Sequence, residues 1–225
     1  MSNPLSHGIS DEFDLVAAVG PECRALLAAS ARMVAADAGT VFQTTGGQAT
    51  RLLLVHSGSL HVIHSDRAGR RRIVRILGQW NHYGLTEFTL QSRARYRVEA
   101  AEPSVVAEIP FDALQSIAHQ CPDLQRGLTF ALARKNAEIE QLLVSLTSAD
   151  VTTRVASYLL SLPRVSNDTE RIVVRLPVTQ ADLASHLGTT PETLSRRIHD
   201  LMDSGAIERT ANREFVLNEE LLTRY

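Results

Sequence analysis

The sequence predicts an α+β chain: a β-rich first half, one long helix, and a small helical unit closed by a pair of strands. Three features carry that prediction. Short apolar runs separated by turn signals fill the stretch from Met33 to Pro110. An apolar repeat of period 3.5 follows from Leu128 to Leu146, and two capped helices joined by a tight turn lie between Thr179 and Leu201. On this reading the chain divides into residues 1–110, 111–148 and 149–225.

Taken in order, Ser10 to Ala31 reads as a short helical lead-in with Leu15, Val19, Leu26 and Leu27 as its apolar points. From Met33 the period changes. Val34, Val41-Phe42, Leu52 to Val55, Leu60 to Ile63, Ile73 to Leu77, Tyr96 to Val98 and Val105 to Ala107 are strand-like. Ala38-Gly39, Gly46-Gly47, Ser57-Gly58, Asp66 to Gly69, Gly78 and Pro103 punctuate them, a pattern that suggests an antiparallel barrel or sandwich. Beyond Phe111, Leu128, Leu132, Lys135, Ile139, Leu142 and Leu146 recur four and three apart. Such a seam serves either a helix packed on its own domain or a two-helix dimer interface. Its length and period favour the dimer, with Leu128, Leu132, Ile139, Leu142 and Leu146 as the contacts. Lys135, the only lysine of the chain, interrupts the seam; it either reaches out along its stem or pairs with an acid such as Glu138.

Asp150 to Leu160 begins another amphipathic helix, and Pro163 to Arg171 is a polar surface loop. Thr179 to Gly188 reads as a short helix capped by Thr and ended by Gly. Thr190 then caps a second helix with Pro191 at its first position, where the missing N–H costs nothing. Leu194, Ile198 and Leu201 make its buried stripe, so Glu192, Ser195, Arg196 and His199 fall on the outward face. Two helices in this order form a helix-turn-helix, and the strand–turn–strand from Ile207 to Leu217 is its wing. Double-stranded DNA is therefore the expected partner.

Composition bounds the alternatives. The net charge is −2, and from Arg171 onward seven Arg face eight acids, so DNA affinity must come from the local cluster Arg196, Arg197, Arg209 and Arg213. Two cysteines without a C-x-x-C pair argue against a disulfide framework or a zinc site. The apolar runs are too short to span a bilayer and Met1 to Asp14 lacks a signal pattern, so a cytoplasmic protein with no membrane partner is expected. No Ser-His-Asp, paired-carboxylate or Gly-rich phosphate constellation sits in a defensible context, so no enzyme is expected.

The order β-rich region, seam helix and winged helix-turn-helix resembles the CRP/FNR family of bacterial transcription regulators over essentially the whole chain. The residues that carry the resemblance are Asp150-Val151-Thr152-x-Arg154-Val155-Ala156, Thr179-Gln180-x-Asp182-Leu183-Ala184-x-x-Leu187-Gly188 and, most specifically, Glu192-Thr193-x-Ser195-Arg196. The resemblance implies an N-terminal cyclic-nucleotide-binding-like antiparallel β-roll, a long dimerisation helix and a homodimeric activator working with RNA polymerase. It also implies an FNR-type palindrome, TTGAT-N4-ATCAA. Glu192 would accept from a cytosine N4, Arg196 would donate to guanine, and Ser195 would touch a base edge. Thr179, Thr190, Arg197, Arg209 and Arg213 would contact phosphate. The plainer alternative is that Glu192 only complements its helix N-terminus and Arg196 is solvated.

The sensing half departs from the family pattern. Tyr83 to Ala100 lines up on the family's phosphate-binding cassette, but Gly84 is followed by Leu85 instead of the ribose-gripping Glu, and Ala94 stands at the phosphate-binding Arg position. Arg93 and Arg95 flank it on offsets that point to the other strand face, although a shifted loop could reuse Arg95. Ile139 and Glu140 stand where nucleotide receptors carry Thr-Ser. Cyclic AMP by the usual contacts is thus not expected, and a cyclic-nucleotide-responsive regulator with a shifted pocket is the rival. Cys23 and Cys121 alone cannot hold the family's four-thiolate iron–sulfur cluster; a dithiol switch stays open. The cluster-free, nitric-oxide-responsive Dnr branch uses haem, for which His82 is the candidate axial ligand, against the plainer reading of a hydrogen-bonded structural His. Trp80, His82, Tyr83, Gly84, Leu85, Arg93, Arg95, Lys135 and Ile139 are the candidate effector-pocket residues. Arg67 to Arg72 reads as a solvated hairpin tip, with contact to RNA polymerase as the sharper alternative.

Overall fold

The computed structural model describes residues 13–66, 68–148, 150–162, 164–165 and 171–225, and of 14, 141, 142 and 144–148 only the backbone. Two compact units emerge, Met1–Glu138 and Ile139–Tyr225, so the division falls inside the long helix. The first unit opens with α1 (Asp14–Ala17) and α2 (Pro21–Ser30). The helical lead-in is thus broken in two, because Pro21 follows Gly20 and starts a new first turn.

Eight strands follow: β1 (Arg32–Ala36), β2 (Val41–Gln43), β3 (Arg51–Ser57), β4 (Leu60–Ser65), β5 (Arg71–Leu77), β6 (His82–Tyr83), then α3 (Leu85–Leu90), β7 (Arg97–Ala100) and β8 (Ser104–Pro110). They form two antiparallel four-stranded sheets, ordered β1-β8-β3-β6 and β2-β7-β4-β5. Leu53, Val55, Leu60, Val62, Leu77, Tyr83, Val98 and Val106, drawn from both sheets, make one buried core. The other face of the first sheet, with Leu52, Leu54, Ala107 and Ile109, is covered by helices through Phe13, Leu27, Leu114, Leu124, Leu128 and Ala131. That double burial explains the continuous apolar run in β3.

Gly84 sits at the turn from β6 into α3 with φ +113°, and a Cβ there would lie 2.8 Å from the Arg51 carbonyl oxygen. Only glycine fits a backbone so placed.

After α4 (Phe111–Gln120) the chain breaks at Cys121-Pro122 and enters α5 (Pro122–Ser148). Here the seam expectation needs correction. Leu128 is 9% exposed and Leu132 packs partly on the same core, so both serve their own domain and are not free for a partner. The reason is length: the first half of α5 lies along the helix-covered face of the first sheet, and its apolar stripe is used there. Farther on, Ile139 and Leu143 are 50% and 60% exposed. At 3.6 residues per turn they continue the side that carries Leu128 and Leu132. The side chains of Leu142 and Leu146 lie outside the described residues.

The second unit carries α6 (Val151–Ser161), β9 (Ile172–Arg175), α7 (Gln180–His186), α8 (Pro191–Asp203), β10 (Ile207–Ala211), β11 (Glu214–Leu217) and α9 (Glu219–Leu222). Asp150 caps α6 through Thr153 N–H at 2.8 Å. The strands form one antiparallel sheet, β10-β11-β9. β9 supplies a third strand behind the expected hairpin, its Val174 buried opposite Phe215. Of the loop expected over 163–171, residues 163 and 166–170 lie outside the described residues, as does Arg67 of the hairpin tip. Among the described residues no helix is long and apolar enough to cross a membrane.

Gly84→Ala is expected to lower unfolding stability by about 1–3 kcal/mol, from the forced backbone and the carbonyl contact together. Urea titration followed by circular dichroism checks it.

Candidate functional site

The helix-turn-helix is built from its caps. Thr179 Oγ1 accepts from Asp182 N–H at 3.2 Å and donates to the Asp182 carboxylate at 2.6 Å. Thr190 Oγ1 accepts from Thr193 N–H at 3.2 Å. Both hydroxyls, expected as phosphate contacts, are therefore engaged as helix caps, each satisfying an N–H that the first turn leaves open. At the far end of α8, Gly205 takes φ +73° and Ala206 N–H returns to the Leu201 carbonyl at 3.0 Å, which stops the helix.

Leu194, Ile198 and Leu201 are at most 3% exposed. They are sealed against α6, α7 and β10, with Val155, Leu159, Leu183 and Ala184 among the buried neighbours. Glu192, Ser195, Arg196, Arg197 and His199 are all exposed on the opposite side. They line an open groove of about 820 Å³ together with Thr193, Asp200, Met202 and Arg209. Arg209 reaches this groove from the wing, held with its guanidinium 5.3 Å above the ring of Phe215. Arg197 is paired with Asp200 at 2.9 Å, which positions it and sets a carboxylate beside its charge. Arg213 occupies the two-residue turn between β10 and β11 with φ +66°, its carbonyl accepting from Leu176 N–H at 2.8 Å, and it does not line the groove.

The Glu192 side chain is held below the ordinary carboxylate range by its own backbone N–H, the Thr190 hydroxyl and Arg196. It is therefore a pure hydrogen-bond acceptor at neutral pH, with a pure donor, Arg196, one helical turn away. An acceptor and a donor fixed at that spacing on a protruding helix match the donor and acceptor edges that base pairs show in the major groove.

The candidate effector-pocket residues do not gather in one place. Arg93 and Arg95 are exposed, and Arg93 donates to the Gly46 carbonyl at 3.1 Å. The buried Ala94 lies between them in the segment that leads into β7, with both arginines exposed on either side of it. Trp80 packs edge-on against Phe13 at 5.2 Å and His56 at 5.6 Å. Leu85 is buried in the helix-covered core, Gly84 is backbone geometry, and Ile139 is half exposed.

What does come together is His82, Tyr83 and Lys135 with a residue the sequence reading passed over, Arg75. Tyr83 donates its hydroxyl to Glu87 at 2.8 Å. His82 Nε2 is buried without a hydrogen-bond partner. Burial, then Arg75, Lys135 and Arg134, hold the His82 imidazole down at about 3. Lys135 is pushed down to about 7 by burial and by Arg75, with Glu138 pulling the other way. The signal for Arg75 was available: a single cation in the apolar run from Ile73 to Leu77. Iron at the His82 nitrogen would face three cations, so the groups around it do not fit haem. Among the described residues no cluster of three His, Cys, Asp or Glu could hold a metal ion.

Cys23 and Cys121 are both free thiols, and Cys121 is near enough to influence the ionisation of the buried Cys23. Burial, then Cys121 and Asp123, push the Cys23 thiol up to about 12, so it is a thiol and a poor nucleophile at neutral pH.

Comparison with known proteins agrees with this architecture. The cyclic nucleotide-binding domain model matches residues 33–121, and the Crp-like helix-turn-helix domain model matches residues 153–225. The probable transcriptional regulator flp of Lacticaseibacillus casei is 26% identical over 216 residues, 96% of this chain and 97% of that protein. The cAMP-activated global transcriptional regulator CRP of Pasteurella multocida is 26% identical over 164 residues, 72% of this chain and 78% of its own. FixK2 from Bradyrhizobium japonicum shares the fold, with TM-score 0.75 at 22% identity over 86% of this chain and 96% of that one. The chain belongs to the CRP/FNR family of DNA-binding transcription regulators, a family of regulators and not of enzymes.

Thr190→Ala should cost about 1 kcal/mol of stability through the lost cap. Thermal unfolding monitored by circular dichroism checks this, and an unchanged midpoint would contradict the capping assignment.

Proposed function

We propose that this regulator acts as a homodimer on an FNR-like palindrome, TTGAT-N4-ATCAA, under a signal other than cyclic AMP. The observation that supports the reading most is the exposure of an ionised Glu192 and of Arg196 one turn apart, on a helix whose other side is sealed. Glu192 accepts from a cytosine N4 and Arg196 donates to guanine O6 and N7, with Ser195 between them on a base edge. Arg209, standing beside α8, and Arg197 contact phosphate and fix the register; Arg213 extends the same role from the wing tip. Thr179 and Thr190 add their exposed helix starts to the backbone contacts.

Dimerisation rests on the second half of α5, where Ile139 and Leu143 stand exposed. Two copies of that stripe bury each other, and the pair presents two reading helices to two half-sites. Activation then proceeds through contact with RNA polymerase, for which the exposed Arg72 at the β4–β5 tip is one candidate.

Cyclic AMP is set aside because the two positions that grip it elsewhere are a core leucine, Leu85, and a buried alanine, Ala94. Calorimetry with cyclic AMP tests the point: a stoichiometric heat of binding would favour the cyclic-nucleotide rival.

Arg196→Ala should relax discrimination at one base pair and weaken operator binding by about 1–3 kcal/mol. Fluorescence anisotropy on the palindrome and on single-base variants measures it, and equal binding by both proteins removes the base-reading role. Ile139→Asp should yield monomers with little operator affinity. A dimer that persists in sedimentation would place the interface elsewhere.

A further inference from the structure

The outward side of α8 carries more than an acid and a guanidinium. Glu192, Arg196, His199 and Asp203 follow one another at spacings of four, three and four, so all of them share one helix face. His199 is the member whose charge is not fixed. Carboxylates and guanidiniums keep their charge between about pH 6 and 8, and imidazole does not. It lines the same groove as Glu192, Ser195, Arg196 and Arg209, with its side chain 71% exposed.

Position along the helix axis decides what His199 meets. At 1.5 Å per residue it lies about 10 Å beyond Glu192. A major groove is about 12 Å wide, and a recognition helix meets base edges with its N-terminal residues. With Glu192 and Arg196 at the base edges, His199 therefore stands at the rim, where the phosphates run. The charges around it point the same way. Asp200 is answered by Arg197 at 2.9 Å. Asp203 has His199 Nε2 at 3.9 Å and, among the described residues, no other ion-pair partner. Arg209 is the wing cation that lines the groove. An exposed pair as long as His199–Asp203 contributes little in the free protein. Beside a polyanion the balance changes. A neutral imidazole leaves the Asp203 charge uncovered against phosphate, whereas a protonated one covers it and donates to a phosphate oxygen.

We infer that His199 is a phosphate contact made in its protonated form, so that each subunit takes up a proton as it engages DNA. The inference rests on α8 being the reading helix. The sign follows from linkage. DNA favours the imidazolium, so affinity is full at low pH and is lost as pH rises through the value at which bound His199 releases its proton. Glu192, whose carboxyl is held below the ordinary range, stays ionised throughout and adds nothing to the change. A phosphate contact carries no sequence information, so it acts on any duplex.

Fluorescence anisotropy of the full chain tests this near pH 6 and near pH 8. The probes are a labelled TTGAT-N4-ATCAA duplex and an unrelated duplex of equal length. Wild type is expected to weaken roughly tenfold or more on both duplexes as pH rises. His199→Gln should bind at either pH about as wild type does at the higher one, and His199→Arg should hold the tighter binding at both. At the lower pH the slope of log affinity against log salt should be steeper in wild type than in His199→Gln by about one per subunit, as one phosphate contact requires. A pH response that survives in both variants, or a salt slope equal in wild type and His199→Gln, overturns the inference. A response confined to the palindrome makes His199 a base contact and overturns the phosphate assignment. A protein with no preference for the palindrome contradicts the base-reading assignment alone, because the response to pH is read on both duplexes.

Discussion

The burial of Leu194, Ile198 and Leu201 is the constraint on which the rest of the DNA-binding unit depends. Those side chains fill the space between α6, α7 and β10, and a helix has only one side to give away. With that side sealed, Glu192, Ser195, Arg196 and His199 have no direction but outward. The rotation is held by packing, and the start and stop by the Thr190 cap and the turn at Gly205. The outward side chains are thus fixed by residues on the other side of the helix and at its two ends.

α5 faces two demands along its length. Its first half closes the helix-covered core of the β-roll through Leu124, Leu128 and Ala131. Past Lys135 the same stripe continues with Ile139 and Leu143, which are exposed. One helix therefore carries a buried stripe in its first half and exposed apolar side chains in its second. Lys135 sits at the changeover, where a leucine would continue the packing and a cation costs stability.

That cost sets the first unit apart from an inert structural domain. A β-roll of this size has enough apolar surface to pack its edges with aliphatic side chains, as it does with Leu77 and Val98. At the opening between β5 and β6 it instead carries a guanidinium, an ammonium and an imidazole within electrostatic reach of one another. The nucleotide-gripping positions have meanwhile become apolar, at Leu85 and Ala94.

Much of this protein was legible in its residues alone. The period of the apolar positions defined the strand-rich first half and the outward face of α8, and Thr190, Pro191 and Gly205 marked where that helix begins and ends. These are local signals: the spacing of side chains along a helix or strand decides which of them point together. The seam shows the limit of such signals, since a repeat gives the side of a helix and not what covers it: Leu128 is buried and Ile139 half exposed. Arg93 and Arg95 stand exposed, Arg75 turned inward, and Cys23 came near Cys121 because of how segments tens of residues apart pack together. Periodicity thus settled the elements and the reading face; only tertiary packing decided which buried charge faces which, because those partners arrive from different elements and share no spacing along the chain.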